Sequence, residues 1–197
     1  MNDIAMLDVL LFLRAWICHP FRIAAIAPSG TALAELITRD ITPTYGAILE
    51  LGAGTGAFTR ALLTRGVREE DMTLVENDAD FTELLQKRFP KARLLSIDAA
   101  QLDQTDLFEG GPIGAVISGL PLLSMAPKQV LAILDRAFGV LRHCGAFYQF
   151  TYGLRCPISR RVLDRLGLKA MYVGRVYLNI PPAAVYRITK RIPFQTH

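Results

Sequence analysis

Hydrophobic positions fall into two alternating rhythms along the chain. Short, nearly unbroken apolar runs at 47–51, 72–76, 92–97, 113–118 and 145–152 predict strands buried on both faces, and two more strands are expected near 170–178 and 183–190. Between them lie stretches with helical spacing at 57–65, 79–89, 127–142 and 158–166, the first closed by Gly66. A helix over 30–39 follows the Pro28-Ser29-Gly30 turn, and another over 5–18 is stopped by Pro20. Strands alternating with helices predict an α/β fold: a Rossmann-like, doubly wound, seven-stranded and mostly parallel sheet preceded by N-terminal helices. Residues 1–40 read as an N-terminal helical segment and 41–197 as the sheet domain.

The first of these helices departs from both rhythms. Ile4, Met6, Leu7, Val9, Leu10, Leu11, Phe12, Leu13, Trp16 and Ile17 make it apolar nearly all round, with Asp8 and Arg14 as interruptions. A membrane span needs about 20 predominantly apolar residues, and a secretory signal needs a basic leader. This stretch is shorter and charged, and it follows Met1-Asn2-Asp3. The expectation is therefore neither export nor a spanning helix. Two readings remain: a helix packed onto the domain, or one lying in the plane of a membrane interface, with Arg14, His19 and Arg22 facing lipid phosphates.

Composition sharpens this in three ways. A hydrophobic fraction of 51% excludes a disordered chain, and 197 residues suit one domain. The surplus apolarity, a mean hydropathy of +0.29, would be explained by an interfacial helix. Lys and Arg outnumber Asp and Glu, 22 to 18, which favours an anionic partner such as acidic lipid or nucleic acid. The three cysteines, Cys18, Cys144 and Cys156, are odd in number and lack metal-ligand spacing, so no disulfide framework and no metal site are expected. They read as reduced thiols in a cytosolic setting.

The candidate chemistry begins at Glu50-Leu51-Gly52-Ala53-Gly54-Thr55-Gly56, which follows a strand and opens a helix. Glycines there let the backbone turn tightly and approach a ligand. Gly52, Gly54 and Ala57 also satisfy the loose dinucleotide fingerprint. Glu50 discriminates: a carboxylate so close to the loop suits a cationic ligand such as S-adenosylmethionine and sits poorly beside a pyrophosphate. Glu76, ending the next strand, is placed for ribose hydroxyls. Asp98, ending the third, is placed to accept a hydrogen bond from an adenine amino group.

On these residues the chain resembles the class I methyltransferases from about residue 46 onward. Four further elements narrow the resemblance: Pro28-Ser29-Gly30, Ser118-Gly119-Leu120-Pro121-Leu122-Leu123, Gln149-Phe150-Thr151-Tyr152-Gly153 and Asn179-Ile180-Pro181-Pro182-Ala183. Together they are similar to the small bacterial phospholipid N-methyltransferases, which methylate phosphatidylethanolamine stepwise towards phosphatidylcholine. The resemblance implies that Glu50, Gly52, Gly54, Thr55, Gly56, Glu76, Asn77, Asp98, Ala99 and Ser118 hold S-adenosylmethionine, with S-adenosylhomocysteine as product. It implies a phospholipid substrate, an N-terminal helix docked on an anionic membrane, and a cytoplasmic protein bound peripherally to the inner face of the cell membrane.

Catalysis would then rest on alignment of donor and acceptor. The Ser118 hydroxyl and the Gly119 carbonyl are candidates to orient the acceptor amine. A quaternary ammonium product has no proton to donate, so aromatic faces must stabilise it. Tyr148, Phe150 and Tyr152 alternate on one face of the fifth strand and are candidate walls, although aromatics on a central strand are more often core. Arg22, Arg155 and Arg175 are candidates for lipid phosphate. Two other functions share the fold: a nucleic-acid methyltransferase of the ribosomal adenine type, and a non-enzymatic membrane-binding protein. The first is disfavoured by Leu122 and Leu123, which stand where a base-stacking aromatic is expected. A nicotinamide enzyme lacks an evident acid or base; His143, at the predicted end of the 127–142 helix, reads as a capping residue.

Overall fold

The computed structural model describes residues 29–102, 112–177, 179 and 181–191. The helix expected over 5–18 and the phosphate candidate Arg22 lie outside the described residues.

Helix α1 (Ser29–Thr38) starts the described chain. There follow β1 (Ile48–Leu51), α2 (Ala57–Thr64), β2 (Met72–Val75), α3 (Ala79–Arg88) and β3 (Arg93–Leu95). The second half runs β4 (Ile113–Ser118), α4 (Pro127–Val140), β5 (Leu141–Thr151), α5 (Arg160–Arg165), β6 (Leu168–Val176) and β7 (Ala183–Lys190). The seven strands form one sheet in the order β3-β2-β1-β4-β5-β7-β6. All neighbours are parallel except β7, which is antiparallel to β5 and β6. Strand order reverses between β1 and β4, and the crevice above such a switch point is where ligands bind in open α/β sheets.

Local sequence explains the elements that frame that crevice. Every residue of β1 and β4 is buried, as strands covered on both faces require. In α4, which opens on Pro127, Val130, Ile133, Leu134, Ala137 and Phe138 recur at helical spacing and form the buried stripe. Asp78 caps α3 by accepting from the amides of Asp80 and Phe81. Gly66, at φ 86°, ends α2. One core lies on each face of the sheet. Leu33, Ile37 and Ile41 belong to one of them, so α1 packs with the sheet.

The largest departure from the sequence pattern is at the α4–β5 junction. Apolar periodicity runs past Val140, but the helix stops there and β5 begins at Leu141 with no loop. Ile113 pairs with Leu141, whereas Ala115 pairs with Ala146, so β5 bulges in between. The bulge exposes His143 and Cys144. His143 is thus a strand residue on the surface, which corrects its reading as a helix cap.

Candidate active site

The loop between β1 and α2 is set by its backbone. Gly52, Gly54 and Gly56 all adopt positive φ, at 68°, 53° and 75°. The amides of Gly52 and Ala53 donate to Val75 O, at 2.8 and 3.3 Å. Arg60 and Arg88 both donate to the Thr55 carbonyl. A Cβ on Gly56 would stand 2.3 Å from the Phe89 ring, whereas one on Gly54 would meet nothing within 4 Å. The loop therefore packs tightly below and is open above Gly54.

The three acids take different tasks. Glu50 is 1% exposed. Its Oε2 accepts a hydrogen bond of 2.7 Å from the Thr59 hydroxyl, while its Oε1 has no partner. Burial pushes its pKa up to about 8; the Thr59 hydrogen bond and Arg60 oppose the shift, and Glu76 adds to it. A buried, half-satisfied carboxylate is what a cationic group above the loop would complete. Glu76 accepts from the amides of Gly54, Asn77 and Asp78 at 2.8 to 3.0 Å, so in this state it shapes the loop. Asp98, beyond the end of β3, accepts from Ala100 N at 2.8 Å and caps the 3-10 turn Ala99–Gln101. Ala99, the first residue of this turn, is buried, and Asn77 is exposed beside Glu76.

Across the switch point, β4 ends at Ser118, which is fully buried and accepts from Leu120 N at 3.3 Å. Gly119 N donates to Leu51 O at 2.8 Å, and a Cβ on Gly119 would stand 2.4 Å from Gly52 O. The β4 exit thus touches the glycine loop backbone to backbone. Beside it lies a shallow, open recess lined by Leu120, Pro121, Leu122, Leu123, Phe150, Thr151 and Tyr152. No ionisable acid or base other than the Tyr152 phenol lines it, and burial pushes that phenol's pKa up to about 12. The rings of Phe150 and Tyr152 meet edge to face, 5.4 Å between centroids.

Not every expected residue reaches this place. Tyr148 is 1% exposed in the core, and its hydroxyl lies towards Tyr45 and Arg187 without a well-formed hydrogen bond. Burial, with Tyr45 next, raises its pKa. It shares a face with Phe150 but sits lower on the strand, which corrects its reading as a pocket wall. Arg175 donates to Gly153 O at 3.4 Å, and Arg155 is exposed. Two residues escaped the sequence reading. One is Thr59, the partner of Glu50. The other is Gln149, fully buried, whose Nε2 donates to Leu120 O at 2.9 Å and ties the β4 exit to β5. Alternation along β5 places Gln149 opposite Tyr148 and Phe150, but nothing in the sequence gives its partner.

The residues fit S-adenosylmethionine: Glu50 keeps a buried oxygen without a partner, which the cationic end of that ligand would satisfy, and the open space at Gly54 leaves room for it. Among the described residues no cluster of His, Cys, Asp and Glu could hold a metal ion.

Comparison with known proteins agrees with this geometry. Residues 48–145 match the family described as a methyltransferase domain. The chain is 33% identical over 189 residues to an ornithine lipid N-methyltransferase of Singulisphaera acidiphila, covering 92% of this chain and 95% of that protein. It is 37% identical over 122 residues to ribosomal RNA small subunit methyltransferase A of Anaeromyxobacter sp. (strain K), but these cover 56% of this chain and only 42% of the relative. Among solved structures, the 1,6-didemethyltoxoflavin-N1-methyltransferase of Burkholderia thailandensis, crystallised with S-adenosylhomocysteine, shares the fold with a TM-score of 0.65 at 15% identity, covering 96% of this chain and 90% of that one.

Proposed function

This chain belongs to the S-adenosylmethionine-dependent methyltransferases, and on that premise we propose that it methylates the amino group of a membrane lipid, phosphatidylethanolamine, in steps towards phosphatidylcholine. The observation that carries this reading is the recess beside the glycine loop. Apart from Thr151 its walls are aliphatic and aromatic, with no carboxylate to hold a polar substrate. Such walls suit a small amine that becomes a permanent cation. The Singulisphaera relative acts on ornithine lipid, which makes an ornithine head group the second substrate to test.

When bound, S-adenosylmethionine supplies an electrophilic methyl carbon. Every other task falls to the chain. Glu50 offers its free oxygen to the cationic amino-acid end, Glu76 and Asp98 face the nucleoside, and Ala99 and Asn77 flank it. The fixed contact between Gly119 and Gly52 sets the distance from cofactor to acceptor. The Gly119 carbonyl is a candidate to hold an N–H of the neutral amine, with the buried Ser118 below it; Phe150 and Tyr152 exclude water and present ring faces to the methylated head group.

The reading is tested with the full-length protein, labelled S-adenosylmethionine and vesicles with or without phosphatidylethanolamine or ornithine lipid. Label should enter the lipid phase only with an amine lipid present and be lost in Glu50→Ala. Cofactor binding without lipid label would overturn the substrate and turn attention to ribosomal RNA. Within the series, Tyr152→Leu should keep the first methylation and slow the last by about tenfold, because only the trimethylated product carries fixed charge with no proton to donate. The ratio of mono- to trimethylated product, read by mass spectrometry, checks this; equal slowing of all steps would assign Tyr152 to packing.

A further inference from the structure

Five large apolar side chains are exposed among the described residues; one of them, Leu123, lines the recess, and two others, Leu154 and Tyr177, lie on chain segments that adjoin it, Leu154 next to Gly153 and Tyr177 two residues beyond Arg175. Leu123, 41% exposed, brings its Cδ2 to 3.4 Å from where a Gly153 Cβ would lie. Leu154, the next residue, is 84% exposed, and Tyr177, directly after β6, is 76% exposed. Arg175 donates to Gly153 O from the end of β6, tying that strand to the same loop, and Arg155 stands exposed beside Leu154. The three contributing segments, 119–126, 152–159 and 174–177, contain two arginines and no Asp or Glu. Scattered apolar residues on a surface are ordinary, but a cluster rimming a site marks an interaction surface.

We propose that Leu123, Leu154 and Tyr177, flanked by Arg155 and Arg175, form a docking rim that seats the mouth of the recess on an anionic lipid bilayer. The inference rests on the lipid reading above and names the surface that serves it. Charge complementarity selects the occupant: aliphatic tips insert among acyl chains, a tyrosine sits at head-group level, and guanidinium groups meet lipid phosphates. With the rim seated, a head group enters the recess without its chains leaving the bilayer.

The test uses the full-length protein and sedimentation with vesicles of phosphatidylcholine and phosphatidylglycerol in equal parts, which offer no primary amine, so binding is read apart from methyl transfer. The double variant Leu154→Ser/Tyr177→Ser should partition about tenfold more weakly than the parent. Arg155→Ala should lose about fivefold, and the loss should vanish on pure phosphatidylcholine or at high salt. Met171→Ser, which removes an exposed apolar side chain (50%) from the middle of β6, away from the rim, should bind as the parent does. Unchanged affinity for S-adenosylmethionine in all variants confirms that they fold. Parent-like partitioning of the double variant, or an equal loss in Met171→Ser, overturns the rim. If the substrate reading alone is wrong, rim-dependent binding persists while no lipid is labelled.

Discussion

Glu50→Gln weakens S-adenosylmethionine binding about 10- to 100-fold, the expected loss for one charge-assisted hydrogen bond in a buried place. The carboxylate accepts one bond from Thr59 and leaves Oε1 unpartnered. Gln keeps the shape and an acceptor for Thr59 but removes the charge. The same loss is expected for S-adenosylhomocysteine, which retains the ammonium group. 5′-Methylthioadenosine lacks the amino-acid tail, so its affinity should be the same in parent and variant. Calorimetric titration of the three compounds checks this; an equal loss for all three would show that Gln had simply disturbed the loop.

A pH signature accompanies it. The unfolded chain releases the Glu50 proton near the ordinary carboxyl value of 4.5, and the folded chain holds it to about 8. Between those values folding takes up a proton, so this group's stabilisation of the apo protein is complete below pH 4.5 and is lost as pH rises to 8. A bound cation favours the ionised form and reverses the preference. Binding near pH 6.5 should therefore release a proton in the parent, seen as a dependence of binding heat on buffer ionisation enthalpy. In Glu50→Gln both the release and this group's share of the pH slope of Tm should vanish.

Glu50 could be singled out from sequence because its meaning is local: strand, acid, glycine turn and helix are consecutive, and an acid inside a buried run has no solvent to serve. Glu76 and Asp98 were legible for the same reason, as acids where an apolar run ends. What could not be read depends on strands meeting across the sheet. Thr59 looks like any helix residue until α2 folds back over β1. Gln149 reads as one polar position in a strand, and its tether to Leu120 exists only because β4 and β5 are neighbours. Tyr148 and Tyr152 share a face by alternation, yet height along the strand separates a core residue from one at the recess. The end of α4 was hidden because apolar spacing continues through Leu141; the bulge that follows depends on pairing with β4, where Gly145 packs against Arg142 O and Gly114 O.

Gly119→Ala should slow methyl transfer about 100-fold by separating two backbones. Its Cβ would stand 2.4 Å from Gly52 O and 3.5 Å from Leu51 O, and neither neighbour is a side chain that can swing aside. The β4 exit must move away from the glycine loop, straining the 2.8 Å bond from Gly119 N to Leu51 O. A displacement near 1 Å between positioned reactants costs about 100-fold in rate, and overpacking of this kind costs about 1–3 kcal/mol in stability. Gly54→Ala is the informative partner. No atom lies within 4 Å of its Cβ, so only the left-handed backbone at φ 53° resists, at roughly 1–2 kcal/mol. That methyl group projects into the space assigned to the cofactor, so Gly54→Ala should lose cofactor binding while its recess stays intact. Gly119→Ala should instead lose turnover beyond what its weaker cofactor binding explains, even at saturating S-adenosylmethionine. Kd from titration against kcat at saturation separates the two. If Gly119→Ala turns over like the parent once saturated, contact between the two backbones does not set the transfer distance, and the recess beside it loses its claim to be the acceptor site.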